Sequence, residues 1–213
     1  MRRISIIAAA LSLFISGPSF AQEWIEYASQ ADFFSVNFPS EPKVQNITYT
    51  TEYGITLPAR VYSSAEGRNR YSVTVVDFTE TEKIHAERSK KCLATGAYPD
   101  VCTDHARLDL RGAIDYVVWS FFQRDAKITF YAYYNLDLVE GRQLQLTSPD
   151  GSRTFVAINM HENRLYIAEG NVPKSAPQPA LFQQSMGFID KDGKRIRYET
   201  IYSNAYPPPR RSR

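Results

Sequence analysis

Polar and apolar side chains alternate, with breaks at glycine, proline and asparagine, over two long stretches of the chain. A period of two residues predicts β-strands, because successive side chains of a strand point to opposite faces of a sheet. The alternating runs are residues 23–27, 33–38, 44–51, 55–63, 71–78, 127–138, 142–147, 153–160 and 164–170. The turns predicted between runs are residues 66–69, 140–141, 148–151 and 161–163, and a last hairpin is predicted around residues 191–194.

The middle of the chain has a helical pattern instead. Residues 79–82 have the spacing of a capping box, which predicts a helix that continues to about Lys91. A second helix is predicted after residues 103–104, and its apolar positions are Leu110, Ala113, Ile114, Val117 and Phe121. A short third helix is expected at residues 180–186. This order of strands and helices predicts an α+β fold with helices packed on a central antiparallel sheet.

The N-terminus has the pattern of a secretory signal peptide. Arg2 and Arg3 precede an apolar run of about a dozen residues, which is shorter than the roughly 20 residues needed to span a bilayer. Small residues at Ser19 and Ala21 fit a cleavage site between Ala21 and Gln22. We therefore expect export to the periplasm or to the medium, with no transmembrane segment after cleavage.

Cleavage would leave one α+β domain, residues 22–203, and a disordered tail rich in proline and arginine, residues 204–213. The full chain has 25 Lys and Arg and 23 Asp and Glu. Cleavage would remove two arginines, so the remaining chain would have 23 of each and no formal net charge. Since three of the remaining positive charges lie in the last four residues, the domain has no clustered basic face. A nucleic-acid partner is therefore not expected.

Cys92 and Cys102 are the two cysteines of the chain. In an oxidising compartment an even number of cysteines predicts a disulfide, and the segment between them has the glycine and proline of a loop. Their spacing is much wider than C-x-x-C, which favours a structural disulfide over a redox-active one. Closing a loop of about ten residues should stabilise the fold by roughly 2–3 kcal/mol.

Aromatic residues are concentrated near the end of the second helix and in the strand that follows it. They are Trp119, Phe121, Phe122, Phe130, Tyr131, Tyr133 and Tyr134. On a strand, Phe130 and Tyr134 would share one face, and Tyr131 and Tyr133 the other. Our first interpretation is a core cluster covered on both faces; if one face is open, Tyr131 and Tyr133 form a binding platform.

The sequence has no pattern typical of a catalytic, metal or cofactor site. His85, His105 and His161 form neither H-x-x-x-H nor H-x-H, and we assign them to surface or capping positions. Asp109 and Asp115 fit a solvated helix face. Nucleophile-elbow, phosphate-loop and dinucleotide-binding motifs are missing from the sequence. We therefore predict no catalytic residues, no metal ligands and no cofactor.

The start of the predicted domain resembles that of a known family. Trp24 and Tyr27 precede the run FFSVNFPSEP at residues 33–42, and the pattern resembles the opening of exported bacterial proteins with the Mog1/PsbP-like fold. The resemblance implies an α/β/α sandwich around a central antiparallel sheet. The family is known for adaptor and assembly roles, including a GTPase-binding protein and an extrinsic photosystem II subunit. The resemblance implies no activity and no functional residue for this chain.

Together these features predict an exported, non-catalytic binding or assembly protein of the bacterial cell envelope, whose partner is another envelope protein. Two alternatives stay open. One is a periplasmic carrier of a small molecule or lipid, with an aromatic-lined cavity beside Tyr131 and Tyr133. The other is a hydrolase whose site is assembled from residues distant in sequence, among them His105 or His161.

Intact-mass spectrometry of the protein purified from its own compartment tests the leader and the disulfide. We expect a chain that begins at Gln22 and is lighter by about two mass units than its reduced form. Reduction should restore the two units. A mass that includes residues 1–21 would contradict cleavage, and a mass unaffected by reduction would contradict the disulfide.

Overall fold

The computed structural model describes residues 24–204 and 206–212, so the predicted leader and the predicted cleavage site at Ala21 and Gln22 lie outside the described residues. The strands are β1 (Ile25–Ser29), β2 (Phe34–Phe38), β3 (Lys43–Thr50), β4 (Thr56–Glu66), β5 (Asn69–Asp77), β6 (Lys127–Leu136), β7 (Val139–Thr147), β8 (Arg153–His161), β9 (Arg164–Val172) and β10 (Gly187–Phe188). The helices are α1 (Thr81–Ala94), α2 (Ala106–Phe122) and α3 (Ala180–Ser185). The α+β class is confirmed. In the part of the chain that the structure describes, no helix combines the length and the apolar character that crossing a membrane requires.

A seven-stranded antiparallel sheet lies at the centre of the fold, in the order β3-β4-β5-β9-β8-β7-β6. It consists of two meanders, β3 to β5 and β6 to β9, which join where β5 pairs with β9. Strands β3 and β6 are therefore its edges. A smaller sheet has the order β1-β2-β10, with antiparallel pairing throughout.

The two faces of the large sheet are covered by different layers. On one face, α2 buries the side chains Ala113, Ile114, Val117, Val118 and Phe121 against strands β4, β5 and β7 to β9. This is the apolar face that the helical spacing predicts, with Leu110 only partly buried. On the other face, the small sheet and α3 bury Phe34, Val36, Phe38 and Phe182. One outer layer is thus helical, while the other is mainly β-sheet.

Asp32, in the turn between β1 and β2, fastens the small sheet to the large one. Its carboxylate is 2% exposed and accepts hydrogen bonds from the Arg60 guanidinium and, at 2.5 Å, from the Tyr62 hydroxyl. The Tyr166 hydroxyl donates to the Asp32 carbonyl oxygen at 2.8 Å. A buried carboxylate is tolerated only when it is paired and hydrogen-bonded in this way.

Helix α1 begins at Thr81, two residues after the start of the predicted capping box. The Thr79 backbone N–H and hydroxyl donate to Asp77 Oδ1, at 3.0 and 2.7 Å, which keeps Thr79 in the preceding turn. Glu80 is the N-cap residue and makes no side-chain capping bond. The capping-box prediction is therefore wrong about the first residue of the helix. Thr79, the expected N-cap, forms a turn with Asp77 instead.

Two hairpin turns consist of non-glycine residues with positive φ. Asp137 and Leu138 (49° and 66°) join β6 to β7, and Glu162 and Asn163 (46° and 56°) join β8 to β9. These φ values belong to type I′ turns, which match the twist of the flanking strands. The turn predicted at residues 140–141 is wrong, since both residues lie inside β7.

Single residues of the segment 206–212 contact the rest of the chain. Tyr198 and Arg211 form a β-bridge, and the Arg211 guanidinium pairs with Glu162 at 2.6 Å. The Tyr206 hydroxyl accepts a hydrogen bond of 3.0 Å from Arg111. Apart from Pro209, the residues of this segment are exposed.

Gly141 should be required for the approach of β7 to β8. A Cβ atom at this position would overlap the Ile158 carbonyl oxygen and the Asn159 side chain. We expect Gly141→Ala to lower the free energy of unfolding by about 2 kcal/mol, measured by urea denaturation, as in other overpacked sites. Gly170→Ala is the matched control, because its Cβ would meet side-chain atoms of Pro179, at 2.9 and 3.3 Å, and of Phe182, at 3.8 Å, and no backbone atom at such short range, so it should cost less. Equal losses would contradict the steric argument.

Candidate binding surface

Tyr131 and Tyr133 lie on the helix-covered face of the large sheet, at its β6 edge. Tyr131 pairs with Leu144 and Tyr133 with Arg142 in the β6–β7 register. Leu144 is buried in the core beneath α2, and paired residues share a face. Tyr134 packs against the opposite core, so the predicted alternation of these side chains is confirmed.

Helix α2 presents three more aromatic side chains. Phe122 meets Tyr131 edge to face, with centroids 5.7 Å apart. Tyr116 and Trp119 stack with ring centroids 6.0 Å apart and planes inclined by 14°. Steps of three residues give an oblique row around the helix, with Phe122 toward β6 and Tyr116 toward Tyr49 of β3. We call these three residues, with Tyr131 and Tyr133, the aromatic face.

Most of the aromatic cluster is at the surface, so its first interpretation as core is wrong. Trp119 and Tyr133 are each 55% exposed, Tyr131 is 47% and Phe122 is 45% exposed, whereas Phe121 is buried. The cause is topological: β6 is an edge strand, and no element of the described chain packs beyond it. Exposed aromatic side chains at this density typically mark a site of interaction.

Charged side chains border the aromatic face. Asp115 and Arg142 form an ion pair of 3.6 Å, and the Arg142 guanidinium lies 5.6 Å from the Tyr133 ring centroid. Beside Trp119 is an open cleft of about 390 Å³, lined by Glu52, Gly112, Asp115, Tyr116 and Trp119. The surface therefore combines an apolar centre with a polar rim, as protein interfaces do.

A buried polar cluster joins both long helices to the β3–β4 turn. His85 Nε2 lies 2.9 Å from Asp109 Oδ2, and the Thr51 hydroxyl donates to the same oxygen at 2.6 Å. All three residues are at most 2% exposed, so the surface position predicted for His85 and the solvated position predicted for Asp109 are both wrong. One signal was present in the sequence: Asp109 precedes Ala113 by four residues, which places it on the apolar side of α2.

The order of groups in this cluster differs from that of a nucleophilic triad. In a triad the imidazole lies between hydroxyl and carboxylate, and accepts the hydroxyl proton. Here the Asp109 carboxylate lies between Thr51 and His85, so the Thr51 hydroxyl points to a carboxylate oxygen instead of an imidazole nitrogen. These hydrogen bonds satisfy a buried carboxylate and hold the helices together.

His105 is half-buried beside this cluster. Its ring stacks on Tyr53 with centroids 4.9 Å apart, and it lies 6.5 Å from the His85 ring. The adjoining cleft of about 250 Å³ is lined by Tyr53, Arg88, Ser89, Cys92, Val101, Cys102, Thr103 and His105. These lining residues include no carboxylate, and the described residues contain no group of three or more His, Cys, Asp or Glu placed to hold a metal.

The predicted disulfide is confirmed. Cys92 and Cys102 are bonded, with Cα atoms 5.5 Å apart. The bond links the last turn of α1 to the segment before α2, and the Ser89 hydroxyl donates to the Cys102 carbonyl oxygen. Its position supports a structural role in the α1–α2 hairpin.

His161 is fully buried in the other core, so its predicted surface position is wrong. A hydrogen bond of 2.7 Å joins its Nε2 to the Tyr198 hydroxyl, and its ring stacks on Phe188 with centroids 4.5 Å apart. Its Nδ1 has no hydrogen-bond partner among the described residues. Burial, with a smaller contribution from the nearby Arg211 and Arg164 charges, lowers the His161 pKa to about 3.

No protein-family model matches this chain, and no curated protein sequence is significantly similar to it. The functional interpretation therefore depends on the geometry described above.

His161 should make the fold sensitive to acid. The unfolded chain binds a proton at this residue below pH 6.5, whereas the folded chain does so only near pH 3, so stability falls as the pH falls through this range. Between pH 7 and pH 5 the loss should be about 2 kcal/mol. Urea unfolding at both pH values should show a smaller loss for His161→Gln. An equal loss in the two proteins would contradict the assignment.

Proposed function

We propose that the protein is an exported, non-catalytic binding or assembly protein of the bacterial cell envelope that contacts another envelope protein through the aromatic face. The observation that carries this proposal is the exposure of Trp119 and Phe122 on α2 and of Tyr131 and Tyr133 on β6, with Phe122 and Tyr131 in contact. Trp and Tyr are the residues on which protein interfaces most often depend, since they bury large area with few rotatable bonds.

The open edge of β6 supports the same proposal. Within the described chain, β6 pairs with β7 on one side and has no partner on the other. A bulge between Ile128 and Phe130 interrupts the start of the strand, while the register from Phe130 to Leu136 is regular. Free backbone N–H and C=O groups along this part can pair with an added strand, and aromatic neighbours can provide its anchors. We therefore propose an extended segment of the partner at this edge.

We also propose a relationship to Mog1/PsbP-like proteins. Its support is that the resemblance region forms β1 and β2, with Phe34, Val36 and Phe38 fully buried. Trp24 and Tyr27 pack against the same core. The resemblance therefore lies in residues that build the framework, and the aromatic face lies outside it.

The two alternatives receive less support from the geometry. A carrier would enclose its ligand, whereas about half of each Tyr131 and Tyr133 side chain is open to solvent. A hydrolase would need a reachable base beside a carboxylate, whereas His161 is fully buried and the residues that line the cleft beside His105 include no carboxylate. Contact with a protein is the role that exposed aromatic side chains beside an open sheet edge fit best.

Site-specific photo-crosslinking in the producing cell tests the proposal. A photo-crosslinking amino acid in place of Tyr131 or Tyr133 should give a discrete product larger than the chain. Trp119→Ala in the same chain should lower the yield by about fivefold or more, because central aromatic residues dominate interface energy.

Tyr98 is the matched control position, because it is 79% exposed in the disulfide loop, away from the aromatic face. The same crosslinker there should give no such product. Equal products from Tyr98 and Tyr131, or no product from Tyr131 and Tyr133, would overturn the proposal.

A further inference from the structure

The cleft beside Trp119 is built from one side of α2 and one carboxylate from the β3–β4 turn. Gly112, Asp115, Tyr116 and Trp119 occupy positions i, i+3, i+4 and i+7, which share a helix face. Glu52 lies over Gly112, where a Cβ would stand 2.9 Å from the Glu52 Oε2 atom. The missing side chain of Gly112 thus makes room for a carboxylate next to the two stacked rings.

The two acidic residues that line this cleft give it a negative charge, and both carboxylates can bind an incoming cation. Glu52 has no ion-pair partner among the described residues, and it is exposed. Asp115 has one ion pair, with Arg142 at 3.6 Å, and 66% of its side chain is exposed. An exposed pair of this kind is weak and exchanges readily with another cation. Neighbouring carboxylates and an exposed Trp119 ring therefore attract a cationic group together.

A guanidinium group fits this combination better than an ammonium group. It is planar, stacks on aromatic faces, and presents a fork of N–H donors to carboxylate oxygens. The chain already makes such contacts nearby: the Arg124 guanidinium lies 3.9 Å from the Phe121 ring centroid. Arg142 combines an aromatic contact with Tyr133 and an ion pair with Asp115.

We propose that this cleft receives an arginine side chain of the partner protein, with its guanidinium stacked on Trp119 and its N–H groups donating to Glu52 and Asp115. The inference rests on the proposed binding function and adds a chemical requirement for the partner. The cleft shares Tyr116 and Trp119 with the aromatic face.

Nuclear magnetic resonance of the purified protein with labelled tryptophan tests this site. The chain has two tryptophans, so the Trp119 indole N–H reports on the cleft and that of Trp24 is an internal control. The probe is a blocked glycine peptide with one central arginine, and the matched peptide has citrulline, which has nearly the same shape without the charge. Increasing amounts of the arginine peptide should shift the Trp119 signal until the shift saturates. The affinity of the citrulline peptide should be lower by about fivefold or more.

Two variants separate charge from shape. Glu52→Gln combined with Asp115→Asn should weaken arginine binding by about fivefold or more, whereas Glu26→Gln, a change of an exposed carboxylate on β1, should leave it unchanged. Equal binding of the two peptides, or a Trp119 signal that does not respond, would overturn the arginine site. The crosslinking experiment at Tyr131 does not depend on the arginine site. Failure of the arginine site would therefore not contradict the proposed function.

Two other occupants of the cleft have their own signatures. Sedimentation that shows a concentration-dependent dimer, abolished by Trp119→Ala, would assign the surface to a second copy of this chain and overturn the proposal. Occupation by residues 1–23 of the same chain would give a Trp119 shift in the uncleaved protein alone, without added peptide, and would also overturn it.

Discussion

The pairing of β5 with β9 is the constraint on which the rest of the structure depends. It runs from Arg70 opposite Asn171 to Asp77 opposite Arg164 and joins the two meanders into one sheet. As a consequence, β5 lies four strand spacings from β6, or about 19 Å. The chain must cross that distance between two strands that are consecutive in the sequence. Helix α2, with 17 residues and thus about 25 Å of length, makes the crossing and covers one face.

The same topology explains why aromatic side chains are exposed where they are. Helix α2 ends near β6, the last strand of the sheet, and no element of the described chain packs beyond that edge. The first half of α2 is closed in by α1 and the Thr51 turn, while Trp119 and Phe122 lie on its open side. The aromatic face is thus a product of strand order, and a partner that adds to β6 would complete the layer.

Buried polar groups join the layers at fixed points. Asp32 joins the small sheet to the large one through Arg60 and Tyr62, and Asp109 joins the helices to the β3–β4 turn. Each carboxylate is removed from water and accepts hydrogen bonds from more than one neighbour, which offsets much of its desolvation cost. Such contacts specify where one layer sits on another, a role that apolar packing alone fulfils less precisely.

Periodicity and spacing along the chain were enough to predict approximate positions for strands β1 to β9, the apolar side of α2, the α+β class and the Cys92–Cys102 disulfide. They also placed Tyr131 and Tyr133 on one face of their strand. That this face is open could not be predicted locally, because exposure depends on strand order, and strand order depends on pairing between residues about a hundred positions apart, such as Tyr71 and Gly170. The burial of His85, Asp109 and His161 was decided in the same way: their partners come from distant segments, and no local pattern records them.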